Sequence, residues 1–182
     1  MGFIPFVRGN VPPACKIVDT VNNIFGYCDN PWKTGRSCGG SSGGDSGLIS
    51  SGCTPIGIGT DIGGSGRIPA EWTGISSLKH GFRYTRTGNC FYGKYLSNFP
   101  IKSELTPMAR SVDDLITFCQ YMFDPSNYSD LPSRKKDIYI KQSPFDNSTF
   151  ENKQKLTIGY QYNIEGKYAC SSAHRRVVDS AV

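Results

Sequence analysis

The block Gly39-Gly40-Ser41-Ser42-Gly43-Gly44, followed by Gly63-Gly64-Ser65-Gly66, is the feature that most limits what this chain can fold into. Composition alone would make the first block a flexible linker. The residues between the blocks argue otherwise, because Leu48, Ile49, Ile56, Ile58 and Ile62 are apolar and interspersed, so the segment buries something. In a packed segment, that many glycines mean close backbone approach or positive φ. Such backbone presents N–H groups that can hold an anion or the oxyanion of acyl transfer, each donor being worth about 3 kcal/mol of barrier. Ser65 follows Gly63-Gly64 directly, placed to attack a carbonyl whose oxygen is held by the N–H groups of Ile62, Gly63, Gly64 and Ser65. A turn serine fits the local composition equally well. Asp61 and Arg67 flank the motif, and an ion pair that pins the loop describes them better than direct catalysis.

Two other glycine motifs fail on context. Gly39-Gly40-Ser41-Ser42-Gly43 satisfies G-x-S-x-G, but that elbow needs a strand before it and an acid and a histidine after it. Asn30-Pro31-Trp32-Lys33-Thr34-Gly35-Arg36-Ser37 reads as a loop, and His80 and His174 read as surface residues beside basic neighbours. A phosphate-binding loop is excluded because no Gly-Lys-Ser/Thr follows the glycines.

The chain is 182 residues long, enough for one domain with a core. No run approaches the roughly 20 apolar residues of a membrane span. The start, Met1 to Arg8, lacks a basic region followed by a long apolar stretch, and Phe6 breaks a myristoylation motif. The seven cysteines are scattered without a CxxC pair, which points to free thiols in a reducing compartment and to no metal site. The sequons at Asn127 and Asn147 pull the other way, but without a signal peptide they read as chance matches in a polar loop. These features together describe a cytoplasmic or membrane-associated intracellular protein. The net charge of +5 is modest, its longest basic run being Arg134-Lys135-Lys136, which excludes nucleic acid as the expected partner.

Along the chain, Phe3-Ile4-Pro5-Phe6-Val7 suggests a short strand. Ser111 to Cys119 is the clearest helix, with Ser111 as cap, Asp114 three residues on, and Val112, Leu115, Ile116 and Cys119 on one face. Residues 124–152 read as a long polar loop, and Leu156-Thr157-Ile158-Gly159-Tyr160 as a strand. From Ala173 a helical pattern runs to Val182 without a stop signal, so the chain is expected to end inside an element.

Several blocks in order carry a resemblance: Gly39 to Gly44, then Gly59-Thr60-Asp61-Ile62-Gly63-Gly64-Ser65-Gly66-Arg67-Ile68-Pro69-Ala70, then Gly74-Ile75 and Leu78-Lys79. The span from Gly39 to Lys79 resembles the signature core of the amidase signature family. Ile4-Pro5-Phe6-Val7, Asn10-Val11-Pro12, Asn30-Pro31-Trp32-Lys33, Pro107-Met108-Ala109-Arg110 and Leu156 to Tyr160 resemble its fatty-acid amide hydrolase branch. The resemblance implies an α/β fold, a mixed β-sheet flanked by helices, of which residues 1–182 form a partial domain. The family's N-terminal lysine segment and C-terminal part are expected to lie outside it.

The same resemblance implies a serine amidohydrolase acting on linear amides, fatty-acid amides among them, through an acyl-enzyme. Its triad is Ser-cisSer-Lys. Ser65 matches the nucleophile and Ser41 the bridging serine, preceded by a cis Gly40-Ser41 peptide. Ser42 matches a supporting position, Ile62 to Ser65 match the oxyanion hole, and Cys15 falls where the family's substrate channel is lined. The lysine has no counterpart, since Lys16 and Lys33 do not match its motif, Lys33 being structural in its loop. Lys79-His80-Gly81 replaces the family's Lys-Pro-Thr, and Thr106 replaces a glycine. The implied partner is a small-molecule amide, a lipid among the candidates, with no cofactor. Peripheral membrane association and a homodimer are further options. The expectation is that this chain by itself is inactive, and the rival reading is an amidase-fold remnant that binds or scaffolds.

Overall fold

The computed structural model describes residues 2–81, 103–124, 126, 157, 159–162 and 170–181. The chain divides into two compact units, Met1–Phe145 and Asp146–Val182.

The first unit is built on a three-stranded sheet. Strands β5 (Ile56–Asp61) and β6 (Ser76–Ser77) both pair antiparallel with the central β7 (Glu104–Ala109). Side chains alternate across a strand, so β5 divides cleanly into two faces. Ile56, opposite Ala109, packs against the cluster of Ala109, Leu115, Phe118, Cys119, Met122 and Phe123. Those last residues belong to or adjoin helix α3 (Val112–Met122), which covers that face. The opposite face carries Gly57, Gly59 and Asp61 and meets helix α1 (Gly43–Ser50). A Cβ at Gly57 would lie 2.9 Å from Ile49 Cδ1, and one at Gly59 would lie 2.4 Å from Ser42 Oγ. Gly59 is therefore required, because no side chain fits between the strand and the start of α1. Helix α2 (Arg67–Thr73) begins on the same side, with Gly66 against Thr106. The sheet thus lies between α1 and α2 on one face and α3 on the other, an α/β arrangement in which every pairing among the described strands is antiparallel.

Helix α3 forms as its sequence predicts, one residue after its cap and three residues longer than expected. Ser111 Oγ accepts from the Asp114 N–H at 3.0 Å and donates to Asp114 Oδ2 at 2.8 Å. The first of these bonds satisfies an orphan amide N–H of the first turn. The buried face differs from the expected one. Val112 is exposed, and Phe118 and Met122 join Leu115 and Cys119 in the core.

Three expectations fail. Residues 3–7 form no strand; Phe3 instead stacks edge-on against Phe118, with ring centroids 4.8 Å apart. The segment 30–37 is not a loop but a hairpin, β3 (Asp29–Asn30) with β4 (Lys33–Ser37). Pro31 and Trp32 form its turn, and that turn is anchored in three dimensions. Asn30 Nδ2 donates to Trp72 O at 2.8 Å and Trp32 Nε1 donates to Thr73 O at 2.7 Å. These side chains satisfy carbonyls at the end of α2 that the helix itself leaves unpaired. His80 is buried rather than at the surface, with its ring edge-on to Phe123 at 5.1 Å. Burial, the largest influence, holds its imidazole below the usual range. A smaller hairpin pairs β1 (Val21–Asn22) with β2 (Gly26–Tyr27).

In the second unit, α4 (Ser172–Ala181) matches the predicted helical pattern, and Arg175 stacks over the Tyr162 ring at 4.9 Å. Thr157, Gly159 and Tyr160 lie in no strand, while Leu156, Ile158 and nearly all of the polar stretch 124–152 fall outside the described residues. No helix among the described residues is long and apolar enough to cross a membrane.

Removing the α3 cap tests its role in the first unit. Ser111→Ala should cost about 1 kcal/mol of stability, read as a lowered urea midpoint with an unchanged slope.

Candidate active site

Two loops meet beneath β5, and each is held by one buried polar residue. The first runs from Gly39 to Ser42 and leads into α1. Its anchor is Thr20, which is fully buried. The Thr20 hydroxyl donates to Gly39 O at 2.9 Å and accepts from the Gly43 N–H at 3.0 Å. It also lies 3.4 Å from Ser41 O. One hydroxyl therefore spans the loop from end to end and takes the first orphan donor of α1. Asp19 Oδ1 accepts from the Thr20 N–H and from Ser37 Oγ, and Ser37 Oγ in turn accepts from the Gly39 N–H at 2.8 Å. Within this frame the Gly40–Ser41 peptide is cis. Ser41 is 1% exposed.

The second loop runs from Asp61 to Arg67 and carries Ser65, which is partly exposed. Its anchor is the Asp61 carboxylate, fully buried at the end of β5. Oδ1 accepts from the Gly64 N–H at 2.8 Å, and Oδ2 accepts from the N–H groups of Gly66 at 3.1 Å and Arg67 at 3.2 Å. The Arg67 guanidinium closes the ring bidentately, Nε to Oδ2 and Nη2 to Oδ1, both at 3.0 Å. Burial pushes this carboxyl upward, but the Arg67 bonds and three backbone N–H groups outweigh it and hold it below the usual range. Asp61 binds the amides on both sides of Ser65 and leaves the Ser65 amide itself unused. Of the expected oxyanion donors, Gly64 is committed to Asp61, so Ile62, Gly63 and Ser65 are the ones outside its grip. Gly64 has φ of 123°, a backbone that needs glycine.

A single backbone bond joins the loops: the Ser42 N–H donates to Ser65 O at 3.0 Å. Ser42 Oγ also accepts from the Thr60 N–H at 3.2 Å, tying the first loop to β5. The structure thus brings Ser41, Ser42, Asp61, Ser65 and Arg67 to one place. Cys15 lies in the turn Pro13–Cys15, where its N–H donates to Pro12 O at 3.1 Å and its φ is 51°. Among the described residues no hydrogen bond links it to either loop. Asp19 and Thr20 escaped the sequence reading because they lie about 20 residues from the loop they hold, and nothing local marks them. Among the described residues no cluster of His, Cys, Asp and Glu is placed to hold a metal ion.

Residues 1–182 match the family described as Amidase. The chain is 33% identical to the fatty-acid amide hydrolase 1 of Sus scrofa, over 97% of this chain and 29% of that protein. It is 34% identical to the fatty acid amide hydrolase 1 of Caenorhabditis elegans, over 98% and 30%. Among solved structures, a fatty acid amide hydrolase superposes with a TM-score of 0.58 at 33% identity, over 66% of this chain and 21% of that one. A 6-aminohexanoate cyclic dimer hydrolase complexed with substrate gives 0.55 at 27% identity, over 74% and 24%. The chain spans about 30% of the length of these curated relatives.

Two substitutions test the anchors. Thr20→Val leaves the Gly43 N–H and Gly39 O without their partner and should cost about 2 kcal/mol, while Thr20→Ser should recover most of it. Asp61→Asn should cost about 2 kcal/mol at neutral pH. Because folding lowers the Asp61 pKa, its contribution is complete above the unfolded value of about 3.9. It is lost as pH falls through the lower folded value. The gap between wild type and Asp61→Asn in urea melts should therefore be constant from pH 8 to 5 and close below about pH 4.

Proposed function

The chain belongs to the amidase family, and we propose that it supplies the nucleophile half of a serine amidohydrolase acting on linear amides, fatty-acid amides in particular. The observation that carries this reading is the Ser42 N–H to Ser65 O bond, which clamps two separately anchored serine loops together. Ser65 Oγ attacks the amide carbonyl carbon and passes its proton to Ser41, forming a tetrahedral intermediate. The N–H groups of Ile62, Gly63 and Ser65 are the proposed donors to its oxyanion. Arg67 matters here because it neutralises Asp61, whose bare charge beside the developing oxyanion would raise the barrier. The proton returns through Ser41 to the departing amine, and water then hydrolyses the acyl-ester on Ser65. Ser42 supports the first loop through Thr60, and Cys15 is proposed as a wall of the acyl channel.

The proton must pass beyond Ser41 to a base, which the family resemblance makes a neutral lysine. Residues 1–182 contain no lysine matching that motif, so this reading takes the polypeptide 1–182 on its own as without turnover. Supplied with a long-chain fatty-acid amide, it should release no ammonia or amine above the buffer rate; ordinary turnover would overturn that assignment of the base. A fluorophosphonate probe tests the nucleophile separately. Any covalent labelling should map to Ser65 and vanish in Ser65→Ala, and labelling that survives the substitution would place the nucleophile elsewhere.

A further inference from the structure

Cys28 and Cys38 bracket the β3–β4 hairpin, one residue before β3 and one after β4. The Cys38 N–H donates to Cys28 O at 3.4 Å, so the two continue the ladder one step beyond the Asp29–Ser37 pair. Their sulfurs lie 3.7 Å apart. Cys38 is fully buried, with its Sγ 3.1 Å from Asp29 O, while Cys28 is partly buried with its Sγ 3.7 Å from Gly43 O. Helix α1 leaves the space they share, since a Cβ at Gly47 would lie 3.2 Å from Cys38 Sγ and 3.8 Å from Cys28 Sγ. Ordinary cross-strand neighbours face each other at a distance from which a small closure reaches disulfide geometry.

We propose that Cys28 and Cys38 form a redox-active thiol pair that closes to an intramolecular disulfide under a hydroperoxide. Cys28, the more accessible, begins the reaction. Its hydrogen bond with Cys38, the largest influence, lowers its pKa against burial and the nearby carboxylates of Asp29, Asp19 and Asp45. The Cys28 thiolate attacks one peroxide oxygen and the O–O bond breaks, giving a sulfenic acid and a hydroxide that takes up the proton Cys28 lost. The Cys38 sulfur then attacks Cys28 Sγ, and the sulfenic oxygen leaves as water with the Cys38 proton. For hydrogen peroxide the balance is two thiols to one disulfide, and one peroxide to two waters. The sulfurs close from 3.7 Å to about 2.05 Å. Cys53 is exposed and has Ser51 Oγ 3.3 Å from its sulfur, so it serves as the internal control for unselective oxidation.

The test uses the full chain, freed of reductant, treated with hydrogen peroxide, alkylated in denaturant and cleaved before aspartate. Asp19, Asp29 and Asp45 put Cys28, Cys38 and Cys53 on separate peptides. The expected product is peptide 19–28 joined to peptide 29–44, two hydrogens lighter than the sum and separated by dithiothreitol. Cys28→Ser should abolish the link and leave Cys38 alkylated. Recovery of Cys28 and Cys38 as alkylated monomers while Cys53 is oxidised would overturn the proposal, as would either cysteine joined mainly to a different partner. Because the readout is the bond itself, it stands or falls independently of the role assigned to Ser65.

Discussion

The Asp61 carboxylate is the interaction on which the rest of the site depends. A fully buried charge is costly, and it persists here because five hydrogen bonds surround it, three from backbone N–H groups and two from the Arg67 guanidinium. In return it fixes a loop that has almost no side chains to pack. Gly63, Gly64 and Gly66 offer only backbone, so the position of Ser65 has to be set through backbone amides. Asp61 does this from one point, holding residues 64, 66 and 67 and leaving residue 65 between them. Arg67 completes the arrangement from the solvent side, its side chain 54% exposed, so its charge is cheaply hydrated while its fork is fully used.

The position of Asp61 follows from the period of β5. Ile56-Gly57-Ile58-Gly59-Thr60-Asp61 alternates in a way that puts both glycines and the aspartate on one face. The isoleucine face begins the core against α3, and the glycine face admits the start of α1 to within contact of the strand backbone. One strand therefore does two things: Ile56 helps hold the sheet to α3, and three positions on the other face let the Ser41 loop dock. Across the ladder from Asp61 stands Glu104, also buried, whose carboxyl is pushed up to about 7 by burial. Of this pair, the member with a guanidinium partner is the one whose carboxyl is held below the usual range.

Much of this was legible in the sequence where the cause is local. The α3 cap and its acidic first turn are local, and the structure follows them, whereas its buried face takes Phe118 and Met122 in place of Val112. The serine loops were legible for a different reason: glycine at that density, threaded with isoleucine, has few packed solutions. The misreadings share one physical origin. Asn30 to Ser37 has the composition of a loop, and it becomes a hairpin because Asn30 and Trp32 find carbonyls of α2 about 40 residues away. His80 has a basic neighbour and no local reason for burial, and it is buried because Phe123 covers it. Phe3 to Val7 has strand composition but pairs with no strand among the described residues, and the Phe3 ring packs on α3 instead. Thr20 shows the limit most clearly, since its role is written entirely in the distance to Gly39 and Gly43.

That arrangement has a consequence for chemistry. The proposed nucleophile Ser65 and proposed relay Ser41 sit on loops with separate anchors, Asp61 for one and Thr20 for the other, and the Ser42 to Ser65 bond is the backbone hydrogen bond between them. Proton relay needs the two hydroxyls within hydrogen-bond reach, and misplacement by about 1 Å can cost on the order of 10² in rate. Their relative placement is therefore set by everything that positions Ser42: the Thr20 hydroxyl, the Thr60 N–H, and the glycine at position 59 that lets α1 approach. None of these groups needs to touch a substrate. Yet a change at any of them moves one serine relative to the other, so residues outside the two serine loops share control of the geometry on which acyl transfer would depend.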